Sequence, residues 1–172
     1  VCIGAFDGLH LGHRALVRRA VARARELGVA AVALSFEPLP REFFAREAPP
    51  PRLSLPRAKV EGLRELGVDV VGLLRFDAKL SAMSAEGFVE TLLAHRLGAR
   101  EVWVGPEFRF GHRRAGEIDV LQREGARHGF TAHEIEPVLL DGARVSSTRI
   151  RAALVAGDFA LAAKLLGKPY AV

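Results

Sequence analysis

The sequence holds one cysteine, Cys2, so no disulfide can close within the chain and no cysteine-based structural zinc site can be built. Cys2 reads as a small buried residue of a first strand, and a reducing cytoplasm is the expected compartment. No apolar run approaches the roughly 20 residues that cross a bilayer, and no secretory leader is evident. There is one tryptophan, and Trp103 alternates with Val102 and Val104 as a packing residue of a strand does, rather than one that stacks on a base. Acidic charge is the scarcer sign. Lysine and arginine number 25 against 20 aspartates and glutamates, a net charge of +5. The pI near 10.1 points to an anionic partner, either nucleic acid or a phosphorylated small molecule.

A length of 172 residues with 49% hydrophobic content suits one domain with a core of its own. Strand and helix patterns alternate. Apolar runs at 1–5, 29–36, 68–76, 100–105 and 130–138 read as strands, the last at or near an edge. Residues 14–27, 57–66, 84–97 and 120–128 carry helical spacing, and 146–167 splits into two helices at Gly157-Asp158. The Pro-rich stretch 37–53 reads as a loop, and a loop of that length in a compact domain is usually functional. The expected fold is α/β: a Rossmann-like parallel sheet of about five strands with helices on both faces. Such sheets bind ligands beyond the carboxyl ends of their strands. That rule places Gly4–His13, Glu37–Phe44, Gly105–Gly116 and Val145–Arg151 at one rim.

Residues 4–13 read GAFDGLHLGH. The stretch sits between the first strand and the first helix, where Gly8 and Gly12 let backbone approach a ligand and free helix N–H groups favour an anion. His10 and His13 add donors for phosphate oxygens. A capping turn with incidental histidines would carry the same residues, so the pair alone is a weak motif. Downstream, VSSTRIR (145–151) would cap an ordinary helix, yet Ser147, Thr148 and Arg151 also make a second phosphate cradle. A guanidinium in a helix's first turns is unfavourable for the helix dipole, so an external anion is expected beside Arg151. Two cradles suit a triphosphate.

Four strings, IGAFDGLHLGH, FEPLPREFF, VGPEFRFGHRRAG and VSSTRIRAALVAGDFALAAKLLGKPY, together resemble in order and spacing the FMN adenylyltransferase module of bacterial FAD synthetases. Those enzymes are usually bifunctional riboflavin kinase/FMN adenylyltransferases of the nucleotidyltransferase superfamily. The resemblance covers nearly the whole chain. It implies transfer of AMP from ATP to FMN, with Mg²⁺ accompanying ATP and FAD and pyrophosphate as products. It assigns His10, His13 and Arg151 to catalysis. Gly4, Ala5, Phe6, Asp7, Gly12, Gly105, Ser147 and Thr148 would join them around ATP, with the distal motif on the β- and γ-phosphates. Pro38, Pro40, Phe44, Glu107, Phe108, Arg109 and Phe110 would line the flavin site. Metal ligands are not assigned.

The chain departs from the family pattern at three places. Ala5 stands where Asn or Thr is common, Leu39 where a His is usual, and Glu107 where Asp or Asn is frequent. LGKPYAV resembles a string that leads into the kinase module. That module is expected to be absent, and residues 1–172 are expected to form a single adenylyltransferase domain. ATP and FMN are the expected partners, without nucleic acid or membrane. Two other readings stand beside this one. The first is a nucleotidyltransferase of the same fold acting on another phosphate monoester. The second is a non-catalytic RNA-binding module, which the interleaving of arginine with Ala and Glu on amphipathic helices disfavours. His95, His128 and His133 are expected to face solvent, as is His112 in its Arg-rich loop.

Overall fold

The structure is a computed structural model and describes residues 1–170, so the last two residues of the expected domain lie outside the described residues. Five strands form one parallel sheet: β1 (Cys2–Ile3), β2 (Val32–Glu37), β3 (Val70–Arg75), β4 (Glu101–Val104) and β5 (Thr131–Glu134), in the spatial order β3-β2-β1-β4-β5. The fold is the expected α/β arrangement, with β5 at an edge. The order reverses between β1 and β4, and such a reversal opens the crevice in which doubly wound sheets bind ligands.

Side-chain alternation along the strands divides the core into two layers. On one face Cys2, Ala33 and Trp103 pack on α1 (Leu11–Leu27) and on Leu63 of α3 (Pro56–Glu65); α2 (Pro40–Phe43) is a single turn after β2. On the other, Ile3, Leu34, Val102, Val104 and Ala132 pack on three elements. These are α5 (Ala85–Phe88), the π-helical stretch Val89–Arg96 that continues it, and α6 (Ile118–His128). The short α4 (Ala78–Ala82) precedes α5. A third cluster joins Leu53 and Val145 to α7 (Ser147–Val155) and α8 (Phe159–Leu166). This satellite layer brings the C-terminal helices against the sheet's carboxyl edge.

The ends of the elements have local causes. The Nδ1 of His10 accepts from the His13 amide at 3.2 Å, so His10 is the N-cap of α1, which therefore starts three residues earlier than its apolar spacing suggests. Gly28, left-handed at φ 65°, ends the helix. Ser84 caps α5 and Asp158 caps α8 through their side chains. Three expectations are corrected. The fifth strand stops at Glu134, short of 138, and a hairpin follows, β6 (Leu139–Leu140) with β7 (Ala143–Arg144). Its turn is Asp141-Gly142, both residues at positive φ, and Asp-Gly between apolar pairs is the sequence signal for such a turn. The 37–53 segment contains α2, which starts at Pro40. His133 is half-buried and stacks on Trp103 at 4.4 Å, with the Arg19 guanidinium 5.0 Å from the indole, and His128 is also half-buried.

Candidate active site

A cavity of about 260 Å³ opens at the switch point. Gly4, His10 and His13 wall it on one side, Gly105 and Pro106 on another, and Arg144 and Ser147 on a third. The imidazoles of His10 and His13 stack face to face, 3.6 Å apart and 14° from parallel. Fully buried Phe6 lies edge-on to His13 at 5.4 Å and fixes that ring from behind. Gly12 leaves room for this stacking, because a Cβ there would meet the His10 ring at 3.2 Å, a tight contact. Burial holds the His10 pKa down to about 4 and that of His13 well below the ordinary range, the latter reinforced by the Lys59 ammonium. Both rings are therefore neutral at physiological pH. With Nδ1 of His10 accepting the helix amide, its proton sits on Nε2, where it can be donated to a ligand. The Nδ1 of His13 is buried without a partner, a polar atom in want of one.

The loop from β1 to α1 is wound tightly. Phe6, Gly8 and Leu9 all have positive φ, a strain that surrounding structure must hold in place. Asp7 supplies much of that hold. It is 1% exposed. Its Oδ1 accepts the backbone amides of Leu53 and Ser54 at 2.9 and 3.1 Å, and its Oδ2 accepts Arg41 at 2.7 Å and Arg151 at 2.5 Å. Burial alone would raise its pKa, but the Arg41 guanidinium and the two amides keep it below the ordinary carboxylate value. Ser147 donates to the Asp7 carbonyl at 2.9 Å and pins the start of α7 to the same loop. Beneath it, the buried ammonium of Lys59 donates to Ser35, whose hydroxyl donates to the Ala5 carbonyl.

These contacts relocate several expected residues. The anion beside Arg151 is the chain's own Asp7, and its Nε also donates to the Pro51 carbonyl at 2.7 Å. Asp7 and Phe6 turn inward as supports. Ser146, one residue before Ser147, is the N-cap of α7. Thr148 and Ala5 are exposed and do not line the cavity. Arg144, on the hairpin that sequence patterns did not resolve, does line it. It donates to Glu107 at 2.7 Å and to the Pro106 carbonyl at 3.0 Å, so hairpin and β4 loop are latched across the opening.

A second cavity, about 580 Å³, adjoins the first through Phe108, which lines both. Its walls are largely phenylalanine. Phe36, Phe44 and Phe76 form edge-to-face pairs, and Phe108 stacks on Phe110 at 16°. Pro40, Arg41, Arg109, Arg113 and Arg114 are among its other lining residues. Gly111, at φ 74°, presses so close to α5 that a Cβ would sit 2.6 Å from the Ala85 amide. Of the residues expected at a flavin, Pro40, Phe44, Phe108, Arg109 and Phe110 lie on this cavity. Pro38 and Glu107 do not, the latter being exposed and paired to Arg144.

The profile of the FAD synthetase family matches residues 1–149. The chain belongs to the FAD synthetase family. It is 47% identical over 170 residues to a bifunctional riboflavin kinase/FMN adenylyltransferase of Pseudomonas fluorescens, which takes in 99% of this chain and 54% of that relative. The Escherichia coli protein of the same name is 40% identical over the same extent. The chain thus spans about half the length of the curated relatives it matches. A crystal structure of a macrolide-efflux protein from Streptococcus pneumoniae superposes with a TM-score of 0.88 at 28% identity, over 99% of this chain and 57% of that one. Among the described residues no helix is long and apolar enough to cross a membrane. Family membership agrees with a cavity that holds two histidines beside an aromatic one at a Rossmann-like switch point.

Proposed function

We propose that this FAD synthetase family chain transfers AMP from ATP to the phosphate of FMN. A phosphate oxygen of FMN bonds to the α-phosphorus, the bond to the β-phosphate bridging oxygen breaks, and FAD and pyrophosphate leave. The reading is carried by the neutral, stacked His10–His13 pair at the N-terminus of α1, beside a cavity of about 580 Å³ lined by phenylalanines. The Nε2 of His10 is placed to donate to the α-phosphate as charge shifts onto its oxygens, His13 supplies the second donor, and the α1 amides add a dipole of the right sign. Gly4, Gly12, Gly105, Ser147 and Arg144 would hold the nucleotide. Phe44, Phe108 and Phe110 would sandwich the ring. Arg151 would act through Asp7 and Ser147, shaping the loop that meets the phosphates.

Among the described residues no group of three or more histidine, cysteine or acidic side chains converges. That donor set suits a Mg²⁺ carried mainly by the triphosphate oxygens, and not a protein cage. The ion would neutralise phosphate charge. Many arginines are already paired on the surface, as Arg25 with Asp69 and Arg57 with Glu61, which leaves little of the continuous basic stripe that nucleic acid needs.

Incubation with FMN and MgATP, followed by chromatography for FAD and pyrophosphate, tests the reading. FAD is expected. Its absence, or transfer to a different phosphate monoester in preference to FMN, overturns it.

A further inference from the structure

Arg41 is a cation of the aromatic cavity that is tied to the β1–α1 loop. It lines the aromatic cavity from α2, while its guanidinium reaches back to Asp7, the carboxylate that also receives Arg151. Both arginines use the same oxygen, Oδ2. Two half-buried guanidinium groups therefore share one carboxylate oxygen. The Nε of Arg41 is itself buried and makes no hydrogen bond, a donor left unmade where such groups are normally satisfied. Of the other carboxylates nearby, Glu37 and Glu42 both bond to Arg52, and one buried oxygen of Glu37 makes no hydrogen bond.

Arg41 differs from the other cations on this cavity. Arg109 is bound to Glu117. Arg113 and Arg114 are exposed, so water already solvates their charge and an anion gains less by meeting them. Arg41 has only part of its side chain in solvent and is preset in direction by Asp7, so little side-chain freedom remains to be lost on binding. A planar fork anchored at one end and open at the other suits a phosphate oxygen.

We infer that Arg41 binds the phosphate of the flavin substrate and lets the protein distinguish FMN from riboflavin. Asp7 orients Arg41 toward that phosphate and Arg151 toward the loop around the nucleotide, and the shared oxygen holds the two sides of the reaction in register. The inference rests on the flavin assignment proposed above and names what reads the flavin's phosphate. Loss of one charge-assisted contact implies an affinity loss of about tenfold or more.

The test is titration of FMN, riboflavin and MgATP, each alone, into the wild type, Arg41→Met and Arg41→Lys, with thermal unfolding to confirm that each variant is folded. FMN affinity is expected to fall about tenfold or more in Arg41→Met and less in Arg41→Lys, while riboflavin and MgATP affinities stay as in the wild type. Equal losses for FMN and riboflavin would show that Arg41 only shapes the wall. A loss confined to MgATP would assign it to the nucleotide. A wild type that binds FMN no better than riboflavin would also overturn the inference, although FAD formation would still decide the broader reading. Should Arg41→Met fail to fold, Arg41→Lys titrated with the same ligands decides between these outcomes.

Discussion

His10 does two jobs that a single alanine substitution would confuse. Its Nδ1 caps α1 by accepting the His13 amide, and its ring lines the cavity with Nε2 left as the donor. Replacement by asparagine separates them, because Asn is among the best N-cap residues and its carboxamide oxygen can accept the same amide, but it has no ring to stack on His13 or reach an α-phosphate. His10→Ala should lose the cap, worth about 1 kcal/mol, which for a chain of this size lowers Tm by roughly 2–4 °C. His10→Asn should keep most of that stability. Both should lose turnover by about two to three orders of magnitude, the cost of removing one preorganised donor to developing negative charge. Differential scanning calorimetry and a continuous FAD assay, corrected for the folded fraction, measure the two effects. The acid response adds a check. His10 is neutral in the fold with a pKa near 4, while in the unfolded chain it titrates near 6.5. Between those values the unfolded chain takes up the extra proton, so the stability tied to neutral His10 is intact above pH 6.5 and is lost as pH falls toward 4. His10→Asn should flatten that part of the curve. Wild-type turnover in His10→Asn would refute the donor role and leave His10 as a cap.

Asp7→Asn leaves Arg41 and Arg151 without their shared carboxylate, and denaturant titration should show a loss of about 3–5 kcal/mol. Because Asp7 titrates below its unfolded value, its stabilisation is present above about pH 4 and disappears as pH falls through the folded pKa, so the variant should lose that acid sensitivity; an unchanged acid limb would contradict the pairing. Arg151→Lys cannot reproduce bonds to both the Pro51 carbonyl and Asp7, so it should unfold at lower temperature and bind MgATP more weakly through the displaced loop; unaltered stability would show that those bonds are not made in solution. Gly111→Ala puts a methyl group against the Ala85 backbone at a positive φ and should cost about 1–3 kcal/mol with lowered FMN affinity, measured by thermal unfolding and flavin fluorescence.

The architecture is legible in the sequence because its signals are local and repeated. Apolar strand runs and capped helices recur in order, and the helix split at Gly157-Asp158 follows from one left-handed glycine and one Asp N-cap. His10 and His13 are also legible, since Gly12 and a strand-to-helix junction explain the spacing. What sequence does not supply is the partner of each charge. Arg151 lies 144 residues from Asp7, and no spacing rule connects them, so its position on the helix dipole points to an outside anion and gives no sign of the internal one that the structure pairs with it. Arg144 escapes notice for a related reason, because only the hairpin turn at Asp141-Gly142 brings it back over the cavity. An arginine beside a phosphate-binding loop can hold the ligand or hold the loop, and its residue type is identical in either role. Asp7 receives both Arg41 and Arg151, so the two roles are separated by what each arginine's substitution weakens: a loop-holding arginine moves stability first, a ligand-holding one moves the affinity of a single substrate.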